Sequence, residues 1–234
     1  MPGTKADDYT GLYAGFNSPI SQLDCGSKCA PYNENGIPFC CDTRHIIPSA
    51  YLDEWDFLKT HTDLWHLWES NQVEMANQIQ QQVPPGQVLI ECLGYASCQR
   101  NFRSITCRTF PFFPFITQKG EFIGISYYWE FEDRCWVISN LQVVKPEFIQ
   151  EMIATMDVLF YRYPTEVEQY RYHSATMRRV FSRRGRQITI FGRDGNAYKT
   201  SPKTGFTRHI PIQKFPKFGV YKIAASLPYP GEID

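Results

Sequence analysis

Residues 145–200 read KPEFIQEMIATMDVLFYRYPTEVEQYRYHSATMRRVFSRRGRQITIFGRDGNAYKT. Lys145-Pro146 is a helix start, and Phe148, Ile149, Met152, Ile153, Met156, Leu159 and Phe160 lay one apolar face along the helix that follows. A second helix is expected from Thr165 to about Phe181. Gln187–Phe191 and Ala197–Thr200 are strand-like and flank Asp194-Gly195, a pair suited to a hairpin turn. Helices and a hairpin within one stretch set the fold class as α+β.

Working back from this stretch, Trp136–Val143 and Glu121–Glu130 read as two strands joined near Glu132-Asp133, and Gln87–Leu93 as another. Thr62 can cap a helix bearing Leu64, Trp68, Met75 and Ile79, ended by Pro84-Pro85-Gly86. Pro48-Ser49 opens a helical stretch with Tyr51, Leu52, Trp55 and Leu58 on one side. Residues 17–47 hold Pro19, Gly26, Pro31, Gly36 and Pro38 and read as an irregular loop. Residues 1–16 are rich in Gly, Asp and Thr and are expected to lack order. The expected organisation is therefore a cysteine-rich metal-binding body over 17–144, with helices and a small antiparallel sheet. A basic helix-plus-hairpin section over 145–234 follows it.

The chain has 234 residues, 43% hydrophobic and 21% charged, enough to bury a core. No apolar run reaches the roughly 18 residues of a membrane span, and the first residues lack the layout of a secretory signal. A cytoplasmic location without membrane partners is expected, where eight thiols would stay reduced. The formal net charge of zero conceals a division. Residues 1–100 carry 5 basic and 12 acidic side chains, and residues 101–234 carry 19 basic and 12 acidic. Between Arg162 and Lys222 the excess is eleven positive charges, densest in Arg178, Arg179, Arg183, Arg184 and Arg186. Such a segment suits an anionic substrate, an acidic protein partner or, less favoured, nucleic acid. It could equally neutralise the acidic N-terminal half of the same chain.

All eight cysteines fall between Cys25 and Cys135. Cys25, Cys29, Cys40 and Cys41 form one cluster, Cys92, Cys98 and Cys107 a second, and Cys135 stands apart. Thiolates are soft anionic ligands that suit zinc or iron–sulfur clusters, and close spacing lowers the loop-closure entropy of gathering them. All eight are candidate metal ligands. The doublet Cys40-Cys41 sends its side chains to opposite sides if extended, so that one ligates while the other packs, or the two serve different centres. Cys135 suits packing as well as ligation. Arg108, next to Cys107, is a candidate donor to a cluster sulfur or a bound anion, although a buried salt bridge would also account for it.

The CxxxC…CC layout followed by a C…C…CRxFPF block resembles the YkgJ-type cysteine-cluster proteins, described as zinc- or iron-chelating. Cys25, Cys29, Cys40 and Cys41 match the first block, and Cys98, Arg103, Cys107, Arg108, Phe110 and Pro111 the second, with Cys92 upstream. Ser104 stands where the family pattern has proline, and Asn101–Ser104 departs from the family's IYxxRP. The flagellin lysine N-methylases are similar in cysteine layout and are associated with an iron–sulfur cluster. The resemblance thus implies iron–sulfur, of 4Fe–4S type, ahead of zinc.

His45, His61, His66, His173 and His209 are dispersed, without HxxxH or HExxH spacing, and core-edge packing is expected for them. No GxGxxG, GxxxxGK[ST] or GxSxG occurs, which leaves nucleotide folds and hydrolase elbows unsupported. The acidic pairs Asp53/Glu54 and Glu130/Glu132 are expected on solvated faces. Two functions follow as expectations. One is an iron–sulfur protein with a redox or catalytic role on an anionic or protein substrate. The other is a structural zinc module whose basic section binds nucleic acid or an acidic partner.

Overall fold

The computed structural model describes residues 5–70 and 73–215. In chain order its helices are α1 (Lys5–Gly15), α2 (Cys25–Cys29), α3 (Leu52–His61), α4 (Val73–Gln80), α5 (Ile105–Thr109), α6 (Trp136–Ser139), α7 (Pro146–Arg162) and α8 (Thr165–Arg183). Its strands are β1 (Ser49–Tyr51), β2 (Trp65–Leu67), β3 (Gln87–Cys92), β4 (Phe112–Ile116), β5 (Phe122–Tyr127), β6 (Ile188–Gly192), β7 (Ala197–Thr200) and β8 (Thr207–His209). All strand pairs are antiparallel, which makes the class α+β. The chain divides into two units, one taking the chain up to Asn17 plus Ala30–Phe110, the other Ser18–Cys29 plus the chain from Pro111 onward.

In the first unit β3 is the central strand. Its first half pairs β1 (Ser49 opposite Leu89) and its second half pairs β2 (Trp65 opposite Cys92). α1 packs on α3 through Tyr9, Leu12 and Tyr13, which bury against Phe57 and Leu58. An ionisable side chain lies inside this packing. Glu54 is 1% exposed, and its Oε1 accepts from Tyr13 Oη at 2.7 Å and from the Ile105 N–H at 2.6 Å.

The second unit is a five-stranded sheet in the order β4-β5-β6-β7-β8. α8 lies on β4 and β6, and α7 on β5. The core is Phe112, Phe113, Ile125, Phe148, Ile149, Met177, Phe181 and Phe191, each at most 1% exposed. Pro114 sits within β4, which tolerates it because β4 is an edge strand and needs no second ladder donor. Gly124 is fixed by close approach: a Cβ there would stand 2.1 Å from the Phe191 carbonyl oxygen across β5 and β6.

Several sequence expectations change. The N-terminal residues from Lys5 are helical, not unordered, because Tyr9, Leu12, Tyr13 and Phe16 supply an apolar stripe that buries. Trp136–Ser139 is a helix, followed by a 3-10 turn over Leu141–Val143, where a strand is expected. A short, wholly buried apolar run carries no periodicity that separates the two. Trp65–Leu67 pairs with β3, so the helix expected from Thr62 begins only at Val73. Ser49–Tyr51 is likewise a strand before α3 begins at Leu52. The boundary expected at 144/145 is not a division either, since β5 pairs β6 and ties residues before and after it into one sheet. Lys217 and Lys222 of the basic section lie outside the described residues.

Candidate metal centre

The eight cysteines regroup in space. Four of them, Cys41, Cys92, Cys98 and Cys107, lie in the first unit within electrostatic reach of one another or of Arg103. Cys41 closes a 3-10 turn over Phe39–Cys41, and Cys92 ends β3. Cys98 follows a 3-10 turn over Tyr95–Ser97, and Cys107 lies in α5.

Local hydrogen bonds explain how these segments converge. Thr43 Oγ1 donates to Glu91 Oε1 at 2.6 Å and ties the Cys41 turn to β3. The Trp65 indole donates to the Phe102 carbonyl at 2.7 Å, and Thr62 Oγ1 to Gln99 Oε1 at 2.7 Å, holding the loop between Cys98 and Cys107 on β2. Ser104 caps α5, its Oγ accepting from the Cys107 N–H at 3.2 Å. Asp42 accepts from Arg44 Nε at 2.9 Å, and this hydrogen bonding holds its carboxyl below the usual range.

Several donors face the sulfurs, against burial that favours the protonated thiols. Arg103 Nε donates to Cys98 Sγ at 3.0 Å. Burial works against the Arg103 charge, but the sulfurs of Cys98, Cys107 and Cys41 outweigh it and hold the guanidinium more firmly protonated. The Gly94 N–H faces Cys92, at a backbone φ of 94° that glycine adopts freely. The Ser104 hydroxyl faces Cys107. Without a cation, burial still dominates: it raises the Cys92 thiol and pushes Cys107 up to about 12. A soft cation would displace those protons, so that metal binding and proton release go together.

The second unit gathers three more thiols. Cys25 and Cys29 begin and end α2, which packs on α6, and Cys135 immediately precedes α6. Burial pushes Cys135 up, opposed by the N–H groups of Ile138 and Val137, and Cys25 and Cys29 are close enough to raise it further. Cys135 is therefore not the isolated residue its place in the sequence suggests. Of the doublet, Cys41 joins the first group, while Cys40 is half-buried in the same 3-10 turn.

Among the described residues, no set of three or more His, Cys, Asp or Glu is disposed to hold a metal ion. The thiols neighbour one another without forming a finished coordination sphere. The residues brought near one another are four sulfurs, an arginine on one of them, and backbone and hydroxyl donors on two more.

No family model, curated protein or solved structure matches this chain.

Arg108 is placed differently from the sequence expectation. It is 8% exposed and donates to the carbonyls of Arg103 at 3.0 Å, Asn101 at 2.6 Å and Tyr13 at 3.2 Å, and to that of Phe16. Its guanidinium lies 4.3 Å from the Tyr13 ring centroid. It clamps the end of α1 to the Asn101–Arg103 turn, whereas the arginine on sulfur is Arg103. The available signal was the five-residue step from Cys98 to Arg103. Glu54, expected at a solvated position, is buried at 1% exposure. His173, in the second unit, is stacked on Trp129 at 4.7 Å and edge-on to Phe113 at 4.4 Å, and burial lowers its imidazole to about 4.

Proposed function

We propose that this protein holds a thiolate-ligated metal centre, an iron–sulfur cluster, on Cys41, Cys92, Cys98 and Cys107. Its role is redox or catalytic, toward an anionic or protein substrate. The observation that supports this reading is the gathering of four thiols from separate segments of one unit, with Arg103 hydrogen-bonded to Cys98.

When bound, such a cluster supplies one-electron transfer or a Lewis-acidic iron. The chain's own residues set its surroundings. Arg103 offsets negative charge at Cys98, Ser104 donates to Cys107, and the Gly94 N–H steadies Cys92. Donors to sulfur are one of the main ways a protein tunes such a centre. The similarity to the YkgJ-type layout supports the reading through Cys41, Cys92, Cys98 and Cys107 only. Cys25, Cys29 and Cys135 form a separate thiol group, so the reading does not require all eight cysteines to meet.

The test is anaerobic purification and reconstitution with iron and sulfide, followed by iron and sulfide analysis and absorption spectroscopy. Broad absorption near about 400 nm is expected, lost in Cys107→Ser and Cys92→Ser and retained in Cys135→Ala. A colourless protein with stoichiometric zinc, lost in the same two variants, would replace this reading with the structural zinc module. Full metal content in both variants would overturn the centre itself.

A further inference from the structure

An open hollow of about 680 Å³ lies against α8 in the second unit. One face of the helix forms its wall. Arg171, Ala175, Arg178, Arg179, Ser182 and Arg183 fall at helical spacing, with the small Ala175 and Ser182 leaving room between the guanidinium groups. Gln118, from the β4–β5 turn, and Pro202, after β7, bound the other sides. The helix cannot roll away from this orientation. Its opposite face buries Ser174, Met177 and Phe181, and Ser174 Oγ accepts from the Ile116 N–H at 3.0 Å.

Among the described residues, four arginines line the hollow against one carboxylate, Glu168. Glu168 is engaged with Arg171 at 3.3 Å. Arg178 donates to the Ile116 carbonyl at 2.9 Å and lies 5.6 Å from the Phe115 ring centroid. Arg179 donates to Thr176 Oγ1 at 2.8 Å. Among the described residues, Arg178, Arg179 and Arg183 have no carboxylate partner. Other arginines of the same basic section are paired, Arg186 with Glu132 and Arg193 with Asp157, both at 2.6 Å. Like charges at Arg171 and Arg179 add to the burial that lowers the Arg178 guanidinium. Among the described residues, positive charge in the hollow exceeds the one carboxylate that faces it, and an anion would relieve that excess.

We propose that this hollow binds a pyrophosphate-bearing small molecule of the nucleoside diphosphate class. Guanidinium forks match phosphate oxygens two at a time, and an excess of three positive charges calls for more than one negative charge. The volume falls within the roughly 300–1,000 Å³ range of small-molecule sites and exceeds what a lone phosphate fills. Tyr172, 71% exposed beside the arginines, offers a ring face for a base. This site is independent of the thiol centre, which lies in the other unit, and its test does not depend on metal content.

The experiment is isothermal titration of the full chain with inorganic pyrophosphate and with ADP, without divalent metal, at low and high salt. Saturable binding of both is expected, ADP the tighter, with both weakened as salt rises. Losing a charge-assisted contact should weaken binding at least about tenfold in Arg183→Gln and further in the Arg178→Gln/Arg183→Gln double variant. Arg183 is exposed, so its variant keeps the test valid even where the double variant is destabilised. Tyr172→Ala should remove the advantage of ADP over pyrophosphate. Arg208→Gln, an exposed arginine outside the hollow, should bind as the wild type does. Absence of saturable binding below about 1 mM would overturn the proposal, as would equal weakening in Arg208→Gln. A labelled single-stranded oligonucleotide that binds and is not displaced by pyrophosphate would also overturn it, in favour of a nucleic-acid surface.

Discussion

Replacing Glu54 with Gln should raise stability at alkaline pH and leave it nearly unchanged in acid. Glu54 is 1% exposed, and burial raises its carboxyl from 4.5 to about 7 against the opposing pull of Ile105 N–H, Tyr13 Oη and Arg108. Its folded pKa is therefore above its unfolded value, and the folded protein binds the extra proton. Stability from this group is fully present below pH 4.5 and is lost as pH rises through about 7. A shift of that size, at 1.36 kcal/mol per pH unit, corresponds to about 3 kcal/mol in all. Glutamine resembles the protonated acid: its carbonyl can still accept from Tyr13 and Ile105, and nothing ionises. Urea unfolding of wild type and variant, followed by tryptophan fluorescence between pH 4 and 8, should give a difference near zero at about pH 4. That difference should grow to about 2–3 kcal/mol in favour of the variant at pH 8. The difference between the two proteins is the proper readout, because His173 acts in the opposite sense within the wild type. A variant less stable than wild type by a constant amount across the whole range would refute the reasoning.

His173, lowered from 6.5 to about 4 by burial, is neutral in the fold. Its stabilising contribution is present above pH 6.5 and is lost as pH falls toward about 4, so His173→Phe should flatten acid destabilisation seen by the same unfolding measurement. Gly124→Ala should cost about 1–3 kcal/mol in backbone strain, with the clash on the Phe191 carbonyl added, and a thermal melt showing no change would disprove that close approach. Arg108→Met should free the end of α1, seen as faster amide exchange over Tyr9–Phe16, while metal content in the reconstituted protein is retained. Metal loss in that variant without faster exchange would place Arg108 at the centre after all.

The α7–α8–hairpin run was legible in the sequence because its apolar residues are periodic over many turns and its turn is Asp194-Gly195, so local chemistry and fold agree there. β3 was legible from VLIEC for the same local reason. α6 was not, because four consecutive buried residues satisfy helix and strand alike and only the neighbours around them decide. Glu54 looked solvated because a carboxylate in the first turn of a helix usually is; the burial comes from α1, a segment that is not a neighbour in sequence.

The cysteine spacing by itself established that the thiols are clustered and that metal is a chemical option for them. Which thiols belong together was decided by tertiary structure alone. Sequence order pairs Cys25 and Cys29 with Cys40 and Cys41, and leaves Cys135 alone. The units are discontinuous, so the 18–29 segment packs with the α6 region, and Cys25 and Cys29 approach Cys135. Cys41 stays with β3 and α5, beside Cys92 and Cys107. The same holds for the basic section. Its excess of charge is a property of composition, but whether a given arginine is neutralised depends on what faces it. Arg186 and Arg193 meet carboxylates on neighbouring elements of the sheet unit, whereas Arg178 meets a carbonyl and Arg179 a hydroxyl, and Arg183 lines the same open hollow beside them.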